Sequence, residues 1–193
     1  MHEALFKYIK NQSAISLSTK EVGMLLDIFV PKKLRKRQFF LQEGEVCNYG
    51  GFIVKGAMRQ YSVDAKGAEH IVQLMLENWW VGDQESMAMG TPSSYFIDAW
   101  EDTEILQVAT KHFDLMRSIP AVAKMGLILS DRNVAALQKR IHDSISLSAE
   151  QRYDKLIKTH PEFLQRFPQH IIASYLGITK ETLSRIRHEA TNK

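Results

Sequence analysis

The residues with the clearest chemical potential lie in a short segment near the carboxyl end of the chain. Lys180, Glu181, Ser184 and Arg185 recur there at a spacing that would keep all four off the buried face of a helix. An arginine can donate two hydrogen bonds to O6 and N7 of guanine, and a glutamate can accept one from N4 of cytosine. A lysine can neutralise a phosphate without reading sequence. These residue types therefore indicate a DNA contact, although Glu181 and Arg185 could instead form an ion pair along a helix surface.

The residues around this segment indicate how it would be held. An apolar set just upstream predicts a short amphipathic helix; it consists of Ile172, Tyr175 and Leu176. Gly177 permits a tight turn, and Ile178 can fill the angle between two helices. Thr179 can cap the second helix three residues before Thr182. The second helix would turn two residues to the core, Leu183 and Ile186. The pattern predicts a helix-turn-helix.

A long helix is predicted ahead of this motif. After Pro120, apolar residues recur mostly every three or four positions, and no glycine interrupts residues 127–145. They are Val122, Met125, Leu129, Val134, Leu137, Ile141 and Ile145. Further apolar residues lie off this stripe, so one face can pack on its own domain and another on a second copy. A helix packed only on its own domain is the alternative.

The stretch from Phe39 to Val108 shows short apolar runs separated by glycines, which is typical of many short strands. Runs over 58–63 and 70–76 flank an Asp and Gly turn and predict a hairpin. Other strands are predicted at 79–81, 95–97 and 104–108. Residues 17–21 resemble a helix cap that leads into an apolar helical run. The amino-terminal part is therefore expected to be a β barrel with a helical start.

Composition excludes several classes of protein. With 193 residues, 45% hydrophobic and 24% charged, the chain is of the ordinary globular kind, in one large domain or two small ones. No apolar run reaches the roughly 18 to 20 residues of a membrane span, and residues 1–10 lack a signal-peptide core. The cytoplasm is the expected location. The single cysteine, Cys47, cannot form an internal disulfide and is expected to be structural.

The distribution of charge and the positions of the histidines indicate which partners and metal sites are expected. The net charge is +3, yet residues 61–110 carry one lysine against nine acids, whereas residues 140–193 carry an excess of three positive charges. A polyanion would therefore meet the carboxy-terminal part, unless these are simply solvated faces. Only His70 lies among the predicted strands, so no barrel metal centre is expected, and His70 is interpreted as a surface strand residue. No cofactor is expected.

Two groups of motifs resemble the cyclic-AMP receptor and fumarate-nitrate-reduction (Crp/Fnr) regulator superfamily. The first group is Glu43-Gly44-Glu45, Phe52-Ile53-Val54-Lys55-Gly56, and Asp64 with Gly67-Ala68-Glu69. The second is the string from Gly177 to Ile186. The resemblance implies a double-stranded β-helix (jelly-roll) sensor, a dimerisation helix and DNA binding to an inverted-repeat operator. It implies base-reading roles for Lys180, Glu181 and Arg185 and a phosphate-contacting cap at Thr179; Ser184 is a further candidate for the groove.

The ligand pocket of that family matches this chain less well. The corresponding stretch contains Gly82, Asp83, Gln84, Ser93 and Ser94 as candidate ligand-binding residues. The resemblance implies that Asp83 stands at the ribose-binding carboxylate and Ser93 at the phosphate-binding arginine. A serine cannot supply the charged, bidentate grip of a guanidinium. Cyclic AMP is therefore disfavoured, while another small ligand and an unliganded structural barrel both stay open.

The sequence thus predicts an α+β protein with three parts. These are a cyclic-nucleotide-binding-like sensor over 1–118, a dimerisation helix over 119–146 and a helix-turn-helix domain over 147–193 without the family's β-hairpin wing. The expected function is that of a DNA-binding transcription regulator acting as a homodimer. The alternative is a protein-interaction or scaffold dimer whose helix-turn-helix no longer binds DNA. An enzyme is not expected.

Overall fold

The computed structural model of the chain describes residues 1–191; the last two residues of the predicted DNA-binding domain, Asn192 and Lys193, lie outside the described residues. The strands are β1 (Val30–Leu34), β2 (Phe39–Leu41), β3 (Tyr49–Lys55), β4 (Met58–Val63), β5 (Glu69–Met75), β6 (Trp80–Val81), β7 (Phe96–Ala99) and β8 (Thr103–Ala109). The helices are α1 (His2–Ser13), α2 (Thr19–Ile28), α3 (Gln84–Met89), α4 (Phe113–Arg117), α5 (Pro120–Ser146), α6 (Ala149–Thr159), α7 (Pro161–Arg166), α8 (Gln169–Leu176) and α9 (Lys180–Thr191).

The strands form two four-stranded sheets, in the orders β1-β8-β3-β6 and β2-β7-β4-β5. Because neighbouring residues of a strand point to opposite faces, Ile53 of β3 and Ile105 of β8 turn inward. There they join residues of the second sheet, including Leu41 and Ile97, in one buried cluster. Side chains from both sheets share this core, which makes a β sandwich. The predicted α+β architecture with an amino-terminal barrel-like sheet domain is confirmed.

The outer face of the first sheet carries a second core. Phe52 and Leu106, the sequence neighbours of the inward-facing isoleucines, pack there against Leu5 and Ile9 of α1 and against Leu25 of α2. The first turns of α5 add Val122 and Met125 to the same cluster. The predicted face of the long helix that packs on its own domain is therefore confirmed for these turns.

Local signals explain several boundaries. The Ser18 hydroxyl accepts the backbone N–H of Glu21, and the Glu21 carboxylate accepts the N–H of Ser18, so a capping box starts α2 as predicted. Gly56 joins β3 to β4 with φ near +105°, and a Cβ there would lie 2.7 Å from the Cα of Thr103. A side chain at this corner is excluded by both conformation and space.

Four helices were not predicted from the sequence, namely α1, α3, α4 and α7. Helix α1 buries Leu5, Ile9 and Ser13, which recur every four residues, before the capped helix begins. Helix α7 starts with a proline at its first turn, where the missing N–H costs nothing, and buries Phe163.

Contacts within the chain define two compact units. One contains residues 1–60 and 75–132, and the other contains residues 61–74 and 133–193. The second unit therefore includes the tip of the β4–β5 hairpin as well as the end of α5 and helices α6 to α9. Across residues 1–191, no helix is both long enough and apolar enough to cross a membrane.

Candidate nucleic-acid interface

The predicted helix-turn-helix is formed by α8, a turn at Gly177 and α9. Gly177 has φ of 67°, in the left-handed region that glycine adopts without strain. The N–H of Ile178 donates to the carbonyl of Ala173 at 3.0 Å and closes the turn. The N–H of Thr182 donates to the Thr179 hydroxyl at 3.2 Å, which is the predicted helix cap.

The buried and exposed faces of α9 separate as predicted. Leu183 and Ile186 are buried, with exposed fractions of 1% and 8%. The candidate contact residues are all exposed: Thr179, Lys180, Glu181, Ser184 and Arg185. Burial of the apolar pair fixes the rotation of the helix about its axis, so it also fixes which side chains face outward. The exposed face presents two cations that can meet a polyanion.

Glu181 takes part in the start of α9. Hydrogen bonds from its own backbone N–H and from the Thr179 hydroxyl lower the pKa of the Glu181 carboxyl. A carboxylate is favoured at this position because the first turn of a helix carries partial positive charge. Within residues 1–191, Glu181 and Arg185 form no ion pair, so the alternative interpretation of this pair as a surface salt bridge has no support in the structure. The Arg185 guanidinium is therefore not held by Glu181 in an ion pair.

An exposed apolar stripe runs along α5. Leu127, Val134, Leu137, Ile141 and Ile145 all have more than half of their surface exposed. The first four follow the seven-residue repeat of a coiled-coil seam, with steps of seven, three and four residues, and Ile145 lies one position beyond the next seam position. The structure thus leaves exposed the second apolar face that the sequence predicts for contact with another copy.

The candidate ligand-binding residues lie close together in the structure. Two of them, Asp83 and Ser93, form a hydrogen bond with each other. Asp83 caps α3, where its carboxylate accepts the N–H groups of Glu85 and Ser86. Its other oxygen accepts the Ser93 hydroxyl at 2.6 Å. Asp83 and Ser93 are 6% and 3% exposed. Gly82 precedes the cap, whereas Gln84 and Ser94 are exposed. The two positions that the resemblance assigns to a ligand therefore bind each other.

The space left beside this pair is small. A cavity of about 70 Å³ is bordered by seven residues: Asp83, Glu85, Ser86, Thr91, Pro92, Ser94 and Tyr95. Small-molecule sites usually enclose roughly 300 to 1,000 Å³. Two of the lining side chains are carboxylates and none is a cation. The cavity is poorly suited to a cyclic phosphodiester in both size and charge.

Two interactions near the barrel were missed at the sequence level. Arg59 of β4 and Asp98 of β7 form a buried, two-pronged ion pair, with nitrogen to oxygen distances of 2.9 and 3.0 Å. Ser86 accepts the N–H of Cys47 and donates to the carbonyl of Thr91. Both pairs join residues about 39 positions apart, so local spacing gave no signal for them. Asp98 therefore neutralises the buried charge of Arg59.

Histidine and cysteine have structural positions. His70 lies exposed on β5, as predicted, and its Nε2 is 2.9 Å from a carboxylate oxygen of Asp64 in the hairpin turn. Cys47 is buried, and burial raises the pKa of its thiol. In the described part of the chain, no three His, Cys, Asp or Glu side chains gather as a metal site would require.

Comparison with known proteins agrees with this architecture. A family model for the cyclic nucleotide-binding domain matches residues 31–118. An anaerobic regulatory protein of Pasteurella multocida is 26% identical over 184 residues, covering 89% of this chain and 67% of that protein.

Solved structures share the fold at lower identity. FixK2 from Bradyrhizobium japonicum has a TM-score of 0.73 and 19% identity, covering 86% of this chain and 85% of its own. The catabolite activator protein of Thermus thermophilus has a TM-score of 0.56 and 21% identity, covering 94% and 87%. Both structures therefore share the fold of this chain over most of its length. The likeness to the cyclic nucleotide-binding domain family thus covers the sheet domain of the chain, and the likeness to the solved structures covers its fold.

Proposed function

We propose that the protein is a DNA-binding transcription regulator that reads its operator with helix α9. The observation that carries this proposal is the division of α9 into a buried face, Leu183 and Ile186, and an exposed face that includes Lys180 and Arg185. The first face seats the helix on its domain and the second is free for the major groove. We assign base reading to Glu181 and Arg185, with Lys180, Ser184 and Thr179 at the groove edge.

The proposed active form is a homodimer joined through α5. Exposure of an apolar seam as long as that from Leu127 to Ile145 is unfavourable for a helix in water. A second copy supplies the matching seam, because a twofold interface is formed by the same surface on both chains. Two copies of α9 then face an inverted-repeat operator. We propose the cytoplasm as its site of action.

We propose sensor, dimerisation and DNA-binding parts over 1–118, 119–146 and 147–193. The sensor is proposed not to take cyclic AMP. Its only candidate phosphate position is Ser93, whose hydroxyl is bonded to Asp83, and the adjacent cavity carries acidic side chains. Its effector, if it has one, is expected to be small and not anionic, because like charge opposes entry of an anion.

The experiment is binding of mixed-sequence duplex DNA by the full chain at increasing salt, followed by fluorescence anisotropy. Because binding releases counterions from phosphates, log K should fall linearly with log salt. Lys180→Ala should reduce the slope by about one if the ammonium touches a phosphate. Lys7→Ala, which removes the same charge from an exposed position on α1, serves as the matched control and should leave the slope unchanged. Absence of salt-dependent binding would contradict the proposal and favour the protein-interaction dimer.

A further inference from the structure

Strand β5 contacts the helix-turn-helix through Ser174 of α8. Strand β5 is the terminal strand of the order β2-β7-β4-β5. The Ser174 hydroxyl of α8 accepts the backbone N–H of Ile71 at 3.0 Å and donates to the carbonyl of Glu69 at 3.0 Å. One hydroxyl thus serves an edge N–H and an edge carbonyl two residues apart, as a parallel neighbouring strand would. A polar side chain in α8 replaces the missing strand.

Arg140 of α5 joins the same place. Its guanidinium donates to the carbonyl of Val72 in β5 and, at 3.3 Å, to the carbonyl of Tyr175 in the last turn of α8. It also lies over the Tyr175 ring, 4.4 Å from the ring centre. A cation is favoured at both features, since the end of a helix is partially negative and the ring face attracts positive charge. One side chain thus links the dimerisation helix, the edge strand and the helix-turn-helix.

We refer to Arg140, Ser174, Tyr175 and the backbone of residues 69–72 as the β5–α8 junction. All of it lies within the second compact unit, residues 61–74 and 133–193. The junction uses α8 and does not cover the exposed residues of α9, such as Lys180 and Arg185. Loss of the Ser174 hydroxyl would leave the Ile71 N–H without its acceptor. The junction can therefore restrain the helix-turn-helix while its groove-facing side stays accessible.

We propose that Ser174 and Arg140 are positioning residues that set the separation of the two recognition helices in the dimer. This inference rests on the proposed function. Because α5 carries the dimer seam and Arg140 ties α5 to α8, a firm junction gives a fixed distance between the two copies of α9. A fixed distance makes an inverted repeat selective for its spacer length, since each helix must meet its own major groove. A dimer with a loosened junction would bind operators with several different spacer lengths.

The test uses the full chain and operators that differ only in the spacer between identical half-sites. Ser174→Ala should reduce the preference for the best spacer roughly fivefold, as expected for loss of hydrogen bonds. Affinity for a single half-site should stay near the wild-type value. Ser174→Thr keeps the hydroxyl and should restore the preference. Ser118→Ala is the matched control, because Ser118 is exposed and its hydroxyl bonds only to Leu115 in its own turn.

Hydrogen exchange of the Ile71 amide provides a readout that does not depend on DNA. Ser174→Ala should raise its exchange rate by about tenfold, whereas Ser174→Thr and Ser118→Ala should not. Unchanged exchange in Ser174→Ala would overturn the junction itself. Faster exchange with an unchanged spacer preference would overturn its positioning role. A wild-type chain that binds no operator at all would instead contradict the proposed function and would leave the exchange result to judge the junction.

Discussion

Among single residues, the direction of each side chain on α9 distinguishes sequence-specific contacts with bases from nonspecific attraction to DNA phosphates. Arg185 is exposed one position before the buried Ile186, and no carboxylate within the described residues holds it in an ion pair. Arg185→Ala should therefore cost about 1 to 3 kcal/mol on the selected operator and little on random DNA. Anisotropy titrations on both DNAs make the comparison. Equal losses on the two would show that Arg185 is only an electrostatic anchor.

The Asp83–Ser93 hydrogen bond is expected to stabilise the sheet domain. Ser93→Ala removes a donor from a buried carboxylate, so the free energy of unfolding should fall by about 1 to 3 kcal/mol. Ser94→Ala is the matched control, because Ser94 is exposed and adjacent in sequence. Urea unfolding measures both variants. Equal stability of the two variants would mean that the bond contributes nothing.

At the scale of elements, the seam of α5 is expected to hold the dimer. Leu137→Glu or Ile141→Glu places a charge in an apolar interface and should yield monomers or insoluble chains, because burying an unpaired carboxylate is strongly unfavourable. Sedimentation equilibrium at micromolar concentration measures the assembly. Lys139→Glu changes charge on the same helix off the seam and should stay dimeric. A wild-type monomer would contradict the assignment of the seam.

The stability contributed by the ion pair between α5 and α6 should depend on pH. Asp143 near the end of α5 pairs with Lys155 of α6, and this hydrogen bond holds the pKa of the Asp143 carboxyl below its usual range. The folded state therefore binds this proton more weakly than the unfolded state, so the pair stabilises the fold above the ordinary aspartate pKa of about 4. That contribution should be lost as the pH falls through the lowered pKa.

Asp143→Asn removes the titrating group and gives the control for this effect. Urea unfolding between neutral and acidic pH should show a smaller loss of stability in the variant than in the wild type. Asp154→Asn, an exposed change on α6, should leave the wild-type pH profile unaltered. Identical profiles for wild type and Asp143→Asn would show that the pair does not titrate as described.

Across the whole molecule, local signals predicted most of the helices and strands. Contacts between residues far apart in the sequence were not predicted. The hairpin turn at Asp64, the cap at Thr179 and the turn at Gly177 are encoded within a few residues, and the structure has all three. The β5–α8 junction joins Ile71 to Ser174 across 103 positions, and periodicity carries no information on such pairs. The ligand positions were matched by resemblance, but their mutual hydrogen bond depends on how the loop around α3 folds.

We expect the dimer to read an inverted repeat with two copies of α9. The test is selection of bound duplexes from a random DNA library by the purified full chain, followed by sequencing. We predict one enriched motif with twofold symmetry, whose half-site centres lie about one helical turn apart, roughly 34 to 36 Å. Recovery of DNA with no enriched sequence, or of a motif without an inverted repeat, would contradict it.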